Sequence, residues 1–164
     1  KWLEGNVKAI LQREPAVLLE LIKFSAKMKL DVVRGDLSDT KGKRVVLNFG
    51  HTVGHSIEQI TEYKKFLHGE AVSIGMVVAL RLGEQLGVTE AGLGSRTSSL
   101  LSNLGLPVEV PSEMRSKEDM SRWLKALKAD KKREAASVNF VLVEGCGRAT
   151  TREIGLQEIV NALQ

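Results

Sequence analysis

Residues 44–58 read Arg44-Val-Val-Leu-Asn48-Phe-Gly-His51-Thr-Val-Gly-His55-Ser-Ile-Glu58, and Leu67-His68-Gly-Glu70-Ala-Val-Ser-Ile-Gly-Met76 follows after a short gap. The pattern predicts a helix from Thr52 to Glu62, a connection from Tyr63 to Leu67, and a long buried helix from Glu70 to Leu86. Gly87 closes that second helix as its C-cap. His51 and His55 are four residues apart, which on a helix stacks both imidazoles on one face about a turn apart. An antiparallel pairing of the two helices returns His68 to the side of His51 or His55. The six residues Arg44 to Phe49 fit either a strand or a buried helix, and period alone does not decide.

Outward from this pair, most of the chain is helical in pattern. Residues 1–13 carry Trp2, Leu3, Val7, Ile10 and Leu11 at helical spacing. Pro15 suits the first turn of a second helix that runs through Leu18, Leu21, Ile22, Phe24 and Met28 to about Val33. Gly35 to Lys43 is a polar loop. Ala91 to Leu104 predicts another helix, and Ser116 to Lys132 an amphipathic one with Met120, Trp123, Leu124 and Leu127 on its apolar side. Val138–Val143 and Arg148–Thr151 predict a small hairpin, and Glu153–Leu163 a terminal helix. The chain shows no internal repeat and no low-complexity segment. The expected fold is mainly α, multi-helical, with one small β-hairpin.

Composition narrows the classes. A length of 164 residues suits one domain, and 43% apolar with 27% charged residues excludes a disordered charged tail. The longest apolar run, Ala71 to Leu82, is too short to span a bilayer, so no membrane association is expected. Lys1 opens no secretory signal, and the missing initiator Met leads us to expect a piece of a longer protein. A single cysteine, Cys146, forms no internal disulfide and favours a reducing, cytoplasmic setting. We read it as a small residue packed in a turn. The net charge of +4 is compatible with nucleic acid, an anionic metabolite, or solubility alone. More telling, all three histidines of the chain lie between positions 51 and 68.

A catalytic zinc site needs three protein ligands and an open position, and neutral imidazole is a good ligand. Two histidines and a carboxylate meet that need; histidines that merely cap helices or pack in the core are the competing reading. Gly50, Gly54 and Gly69 flank the cluster where backbone or ligand approaches closely. Lys29, Arg44, Lys131 and Lys132 are candidates to hold a phosphate or carboxylate, against a solvated helix face as the alternative. For Lys125, Lys128 and Arg133 the solvated face is the better reading. The run Lys125 to Arg133 also reads as a nucleic-acid patch. It has no Gly-rich loop or RNA-binding signature beside it, and Trp123 fits an apolar face better than a stacking platform.

The stretch from Arg44 to Glu58, followed by Leu67 to Met76, closely resembles the 3-dehydroquinate synthase family. Lys29-Leu-Asp-Val-Val33 upstream, then Asp130-Lys131-Lys132, Phe140–Val143 and Gly145–Ala149, fall in the family's order, so the resemblance covers nearly the whole chain. It implies an enzyme of the shikimate pathway that eliminates phosphate from a seven-carbon sugar acid phosphate and closes the dehydroquinate ring. Bound NAD transiently oxidises one hydroxyl, and a divalent metal, usually zinc, polarises the substrate. The resemblance further implies a C-terminal, mainly α domain beside an N-terminal NAD-binding domain that this chain lacks, a homodimer in the full-length enzyme, and no nucleic-acid partner.

Residue by residue, the resemblance makes His51 and His68 the histidine metal ligands and His55 the active-site histidine near the substrate phosphate. Arg44 and Lys29 correspond to residues that hold the substrate carboxylate and hydroxyls; Asn48 and one lysine of the Lys131–Lys132 pair, Lys131 in our reading, correspond to phosphate-side contacts. The family's third ligand, a Glu in a Glu-x-x-Lys motif, precedes Lys1. We therefore expect weak metal binding and no turnover by this chain alone. The family often has a catalytic Glu four residues before the arginine, where Thr40 stands; Asp39, one position earlier, takes that place in our reading. Two alternatives are a sibling sugar-phosphate cyclase and a non-catalytic basic binding module.

Overall fold

In the computed structural model, which describes residues 1–36, 42–129 and 136–163, the elements follow the hydrophobic periodicities closely. Helix α1 spans Trp2–Leu11 and α2 spans Pro15–Arg34, with Pro15 in the first turn. Between them Arg13 takes a left-handed φ of 56°, which turns the chain back. Residues Lys43–Asn48 form a short 3-10 helix, then α3 (His51–Ile60) and α4 (His68–Gln85) form the helical pair, and α5 spans Leu93–Asn103. A 3-10 turn at Ser112–Met114 leads to α6 (Lys117–Ala129). Strands β1 (Ser137–Gly145) and β2 (Arg148–Gly155) make an antiparallel hairpin, and α7 (Leu156–Asn161) ends the fold. The mainly α architecture with one hairpin is the one expected.

The core sits on the α3–α4 pair. Val53 and Ile57 of α3 meet Ala71, Ile74, Val78 and Leu82 of α4, and all six are buried. Around them close Trp123 and Leu127 of α6, Phe140 and Leu142 of β1, and Leu156, Ile159 and Val160 of α7. Trp123 is fully buried and donates its indole N–H to the Met114 carbonyl at 2.9 Å, as a core tryptophan must if its polar handle is to be satisfied. Helix α6 starts on a reciprocal cap. Asp119 N–H donates to Ser116 Oγ at 3.2 Å, while Ser116 N–H donates to Asp119 Oδ2 at 3.2 Å. The Ser116 hydrogen bond, with Arg122 close by, holds the Asp119 carboxyl below its usual range.

Three sequence expectations change. Arg44–Asn48 is neither strand nor buried α-helix but part of the 3-10 segment, packed on α2 and on the hairpin. Strand β2 continues to Gly155, so Glu153 and Ile154 belong to the sheet and the last helix begins only at Leu156. The pairing Val138↔Ile154 explains this, because both side chains are buried together and a helical Ile154 would forfeit the ladder. Cys146 is exposed in the turn between the strands rather than packed. The expected end of α4 holds: Gly87 takes φ 65° just past the last turn. Among the described residues no helix is long and apolar enough to cross a membrane.

Candidate metal centre

The geometry of the site begins with two close backbone approaches. A Cβ on Gly75 of α4 would lie 2.0 Å from the Gly50 carbonyl oxygen, and one on Gly54 of α3 would lie 3.2 Å from the Val72 backbone. Only hydrogen fits at Gly75, so α4 crosses the start of α3 at backbone contact. Gly50 itself has φ 78° and faces Met76, which leaves no room for a side chain and turns the chain sharply into His51. This crossing brings the first residue of α4, His68, over the histidine face of α3.

The three imidazoles meet there. Ring centres lie 5.3 Å apart for His51 and His55, 5.2 Å for His51 and His68, and 6.0 Å for His55 and His68. His51 Nδ1 lies 3.1 Å from the Phe49 carbonyl oxygen. A carbonyl only accepts, so Nδ1 donates and Nε2 keeps the lone pair. His68 repeats this arrangement, with Nδ1 3.0 Å from Glu58 Oε1. Glu58 sits in the last turn of α3 with its side chain 10% exposed, while the His68 side chain is 57% exposed and faces solvent. The Leu67 N–H donates to Glu70 Oε2 at 2.8 Å, which secures the peptide just before His68.

These donors fit a divalent metal. Two imidazoles that share a tetrahedral zinc through nitrogens at about 2.0–2.1 Å have ring centres about 5 Å apart. The observed spacing matches for His51 and His68, and each of these rings has its Nδ1 proton committed elsewhere. That is the usual condition of a metal-ligating histidine. His55, Glu58 and His68 also each offer a ligand atom within 4.8 Å of the others, the one such triplet among the described residues.

The remaining sequence candidates divide three ways. Arg44 and Asn48 line one cavity of about 350 Å³ together with Gly42, Val45 and Leu47. Lys29 is exposed on α2, the helix that packs against the same 3-10 segment. Asp39, Lys131 and Lys132, with Thr40, lie outside the described residues. Glu58 received no role from the sequence, although its place three residues after His55 puts it on the same helix face.

The 3-dehydroquinate synthase C-terminal family model matches residues 1–133. The chain is 39% identical over 164 residues to the 3-dehydroquinate synthase of Thermoanaerobacter pseudethanolicus, covering 100% of this chain and 44% of that protein. It is 32% identical over 158 residues to the 3-dehydroquinate synthase of Francisella tularensis subsp. tularensis, covering 96% of this chain and 43% of the relative. The chain thus spans less than half the length of the curated relatives it matches. Among solved structures, a 2-epi-5-epi-valiolone synthase of Streptomyces hygroscopicus with NAD+ and Zn2+ bound aligns at TM-score 0.80 and 24% identity, over 99% of this chain and 44% of that one. A 2-deoxy-scyllo-inosose synthase complexed with carbaglucose-6-phosphate, NAD+ and Co2+ aligns at TM-score 0.75 and 22% identity, over 91% of this chain and 41% of that one. At these identities the likeness concerns the fold.

Proposed function

The chain belongs to the 3-dehydroquinate synthase C-terminal family, and from that premise we propose that it is the metal- and substrate-holding part of a 3-dehydroquinate synthase. The whole enzyme would convert a seven-carbon heptulosonate phosphate to 3-dehydroquinate and phosphate in the shikimate pathway. The observation that carries this reading is the meeting of the three imidazoles of His51, His55 and His68, with ring centres 5.2–6.0 Å apart.

In this reading His51 and His68 hold the divalent metal, zinc by the chemistry of the donors. A third ligand, a carboxylate, would come from the part of the relatives' length that this chain does not span. When bound, the ion supplies Lewis-acid polarisation of substrate hydroxyls. NAD, which the rest of such an enzyme would hold, would supply redox chemistry that none of these residues provides. His55, one helical turn from His51, moves a proton at the phosphate side, for which imidazole chemistry is suited. Arg44, with its planar fork, and Lys29 hold the substrate carboxylate and hydroxyls, Asn48 and one lysine of the Lys131–Lys132 pair contact the phosphate, and Asp39 takes the place of the family's catalytic Glu. The exposed apolar side chains of α2, among them Ile22, Phe24 and Met28 at about three-fifths exposed, are ones for the remainder of the enzyme or its dimer partner to cover. The setting is cytoplasmic and the ligand a small sugar acid phosphate.

Assay of the full-length parent with the heptulosonate phosphate and with sedoheptulose 7-phosphate tests the reaction. Turnover of the first alone is expected; turnover of the second alone overturns it in favour of a sibling cyclase, whose fold this chain shares. The identities, 39% against 24%, favour the dehydroquinate enzyme. Zinc uptake by this chain falls on His51→Ala and His68→Ala, and uptake unchanged from wild type in both variants refutes the ligand roles. A nucleic-acid module is disfavoured by Trp123, which is buried and not available for stacking.

A further inference from the structure

Glu58 is a nearly buried carboxylate whose oxygen reaches a solvent-facing histidine ten residues on, across a helix crossing. Burying a carboxylate is costly unless it is paired, so a residue of this type at the end of α3 calls for a reason. Its observed partner is one nitrogen of one imidazole. The ring that carries this nitrogen belongs to the histidine cluster, with its centre 5.2 Å from that of His51.

We infer that Glu58 is a positioning residue for His68: it accepts the Nδ1 proton, selects the Nδ1–H tautomer, and so presents the unprotonated Nε2 toward the metal position. This rests on the proposed metal reading and extends it to a residue outside the ligand pair. The chemistry follows from imidazole itself. A neutral ring has one donor and one acceptor nitrogen, and whichever nitrogen bonds to an acceptor must carry the proton. Left to itself in water, imidazole of histidine favours Nε2–H, the tautomer that cannot ligate through Nε2. The carboxylate reverses that preference and restrains ring rotation for a side chain otherwise open to solvent.

His51 reaches the same state by a different route, through the backbone carbonyl of Phe49. The acceptor for His51 is therefore built into the main chain and survives any substitution nearby. The acceptor for His68 is a side chain and does not. Removing it selectively disturbs one of the two ligands. The alternative role for Glu58, direct coordination together with His55 and His68, is compatible with the 4.8 Å triplet but requires its oxygen to leave His68 Nδ1.

Long-range proton–nitrogen NMR of ¹⁵N-histidine-labelled full chain, metal-free at mildly alkaline pH, reads the tautomer of each ring. His68 is expected as Nδ1–H in wild type and in Glu58→Gln, whose amide oxygen still accepts. It is expected to shift toward Nε2–H in Glu58→Met, which fills similar volume without an acceptor, while His51 stays unchanged. Co2+ titration on the same proteins should show Glu58→Met weakened by about 10–100-fold, the usual effect of losing such a partner, with Glu58→Gln weakened less. The Co2+ absorption bands at saturation keep their shape in both. A His68 tautomer that ignores Glu58 in protein that binds Co2+ overturns this inference alone. Altered bands in Glu58→Gln overturn it too, in favour of direct coordination. Failure of wild type to bind Co2+ overturns the metal reading itself, whatever the tautomer.

Discussion

Helices α2 and α4 are of similar length, 20 and 18 residues, and both are rich in large apolar side chains, yet they are used in opposite ways. Helix α4 buries ten residues; α2 buries none and leaves Leu19, Ile22, Phe24, Met28 and Leu30 each more than half exposed. The difference lies in what each helix can approach. Ala71, Ser73, Gly75, Ala79 and Gly83 give α4 small faces against which α3, α5 and β1 close. Among the described residues, α2 packs chiefly on α1 and the 3-10 segment, and α1 is itself without a buried residue. Apolar periodicity therefore reports that a helix face wants cover, not that this stretch of chain provides it.

Substitutions break or sharpen the contrast in order of size. At the α3–α4 crossing, Ile74→Ala empties a fully buried site and should cost about 2–5 kcal/mol, whereas Ile22→Ala, at a position 63% exposed, should stay within about 0.5 kcal/mol. Chemical denaturation of the two variants measures both, and equal losses would erase the distinction between the helices. Gly75→Ala places a methyl 2.0 Å from the Gly50 carbonyl and should cost roughly 3 kcal/mol while also weakening metal uptake, because the crossing carries His68. Gly5→Ala in α1, with nothing within 4 Å, should instead stabilise by about 0.5–1 kcal/mol through helix propensity. Opposite signs for two glycine-to-alanine changes would be seen in the same thermal melts.

The smallest effect concerns how the α1–α2 unit is held. Glu4 forms a two-pronged pair with Arg96 of α5, at 2.6 and 2.8 Å, and also meets the Lys1 amino group. These partners hold the Glu4 carboxyl at about 2, below its ordinary 4.5. A folded-state value below the unfolded one means that the stabilisation is present above 4.5 and fades as pH falls toward about 2. As a solvent-exposed pair it contributes modestly. Melts of wild type and Glu4→Gln should differ near neutral pH and converge in acid; a gap that persists at the acid end would contradict the pairing.

How much of this was legible beforehand depends on how local each feature is. The boundaries of α4 at Gly87 and the core role of Trp123 follow from capping and from helical period, and both hold in the structure. Arg44–Phe49 could not be assigned from period because a six-residue apolar run suits several backbones; packing against α2 and the hairpin decided for 3-10. Ile154 read as helix because Glu153–Leu163 is a fair helical pattern, but its partner Val138 lies sixteen residues away, beyond the reach of any local window. Glu58 was visible as a letter in a motif and silent as a role, since its partner is on another helix.

By itself, the amino-acid sequence determined that His51 and His55 share one face of a helix, that the chain is mainly α with one hairpin, and that it resembles one enzyme family. Those conclusions rest on period, composition and motif, which act within a few residues of each other. Only the tertiary structure decided that His68 joins the other two rings and that Glu58 holds its Nδ1. Each of these depends on how closely two distant backbones approach. That distance is set by the absence of a Cβ at Gly75 and by close packing of the side chains between the helices.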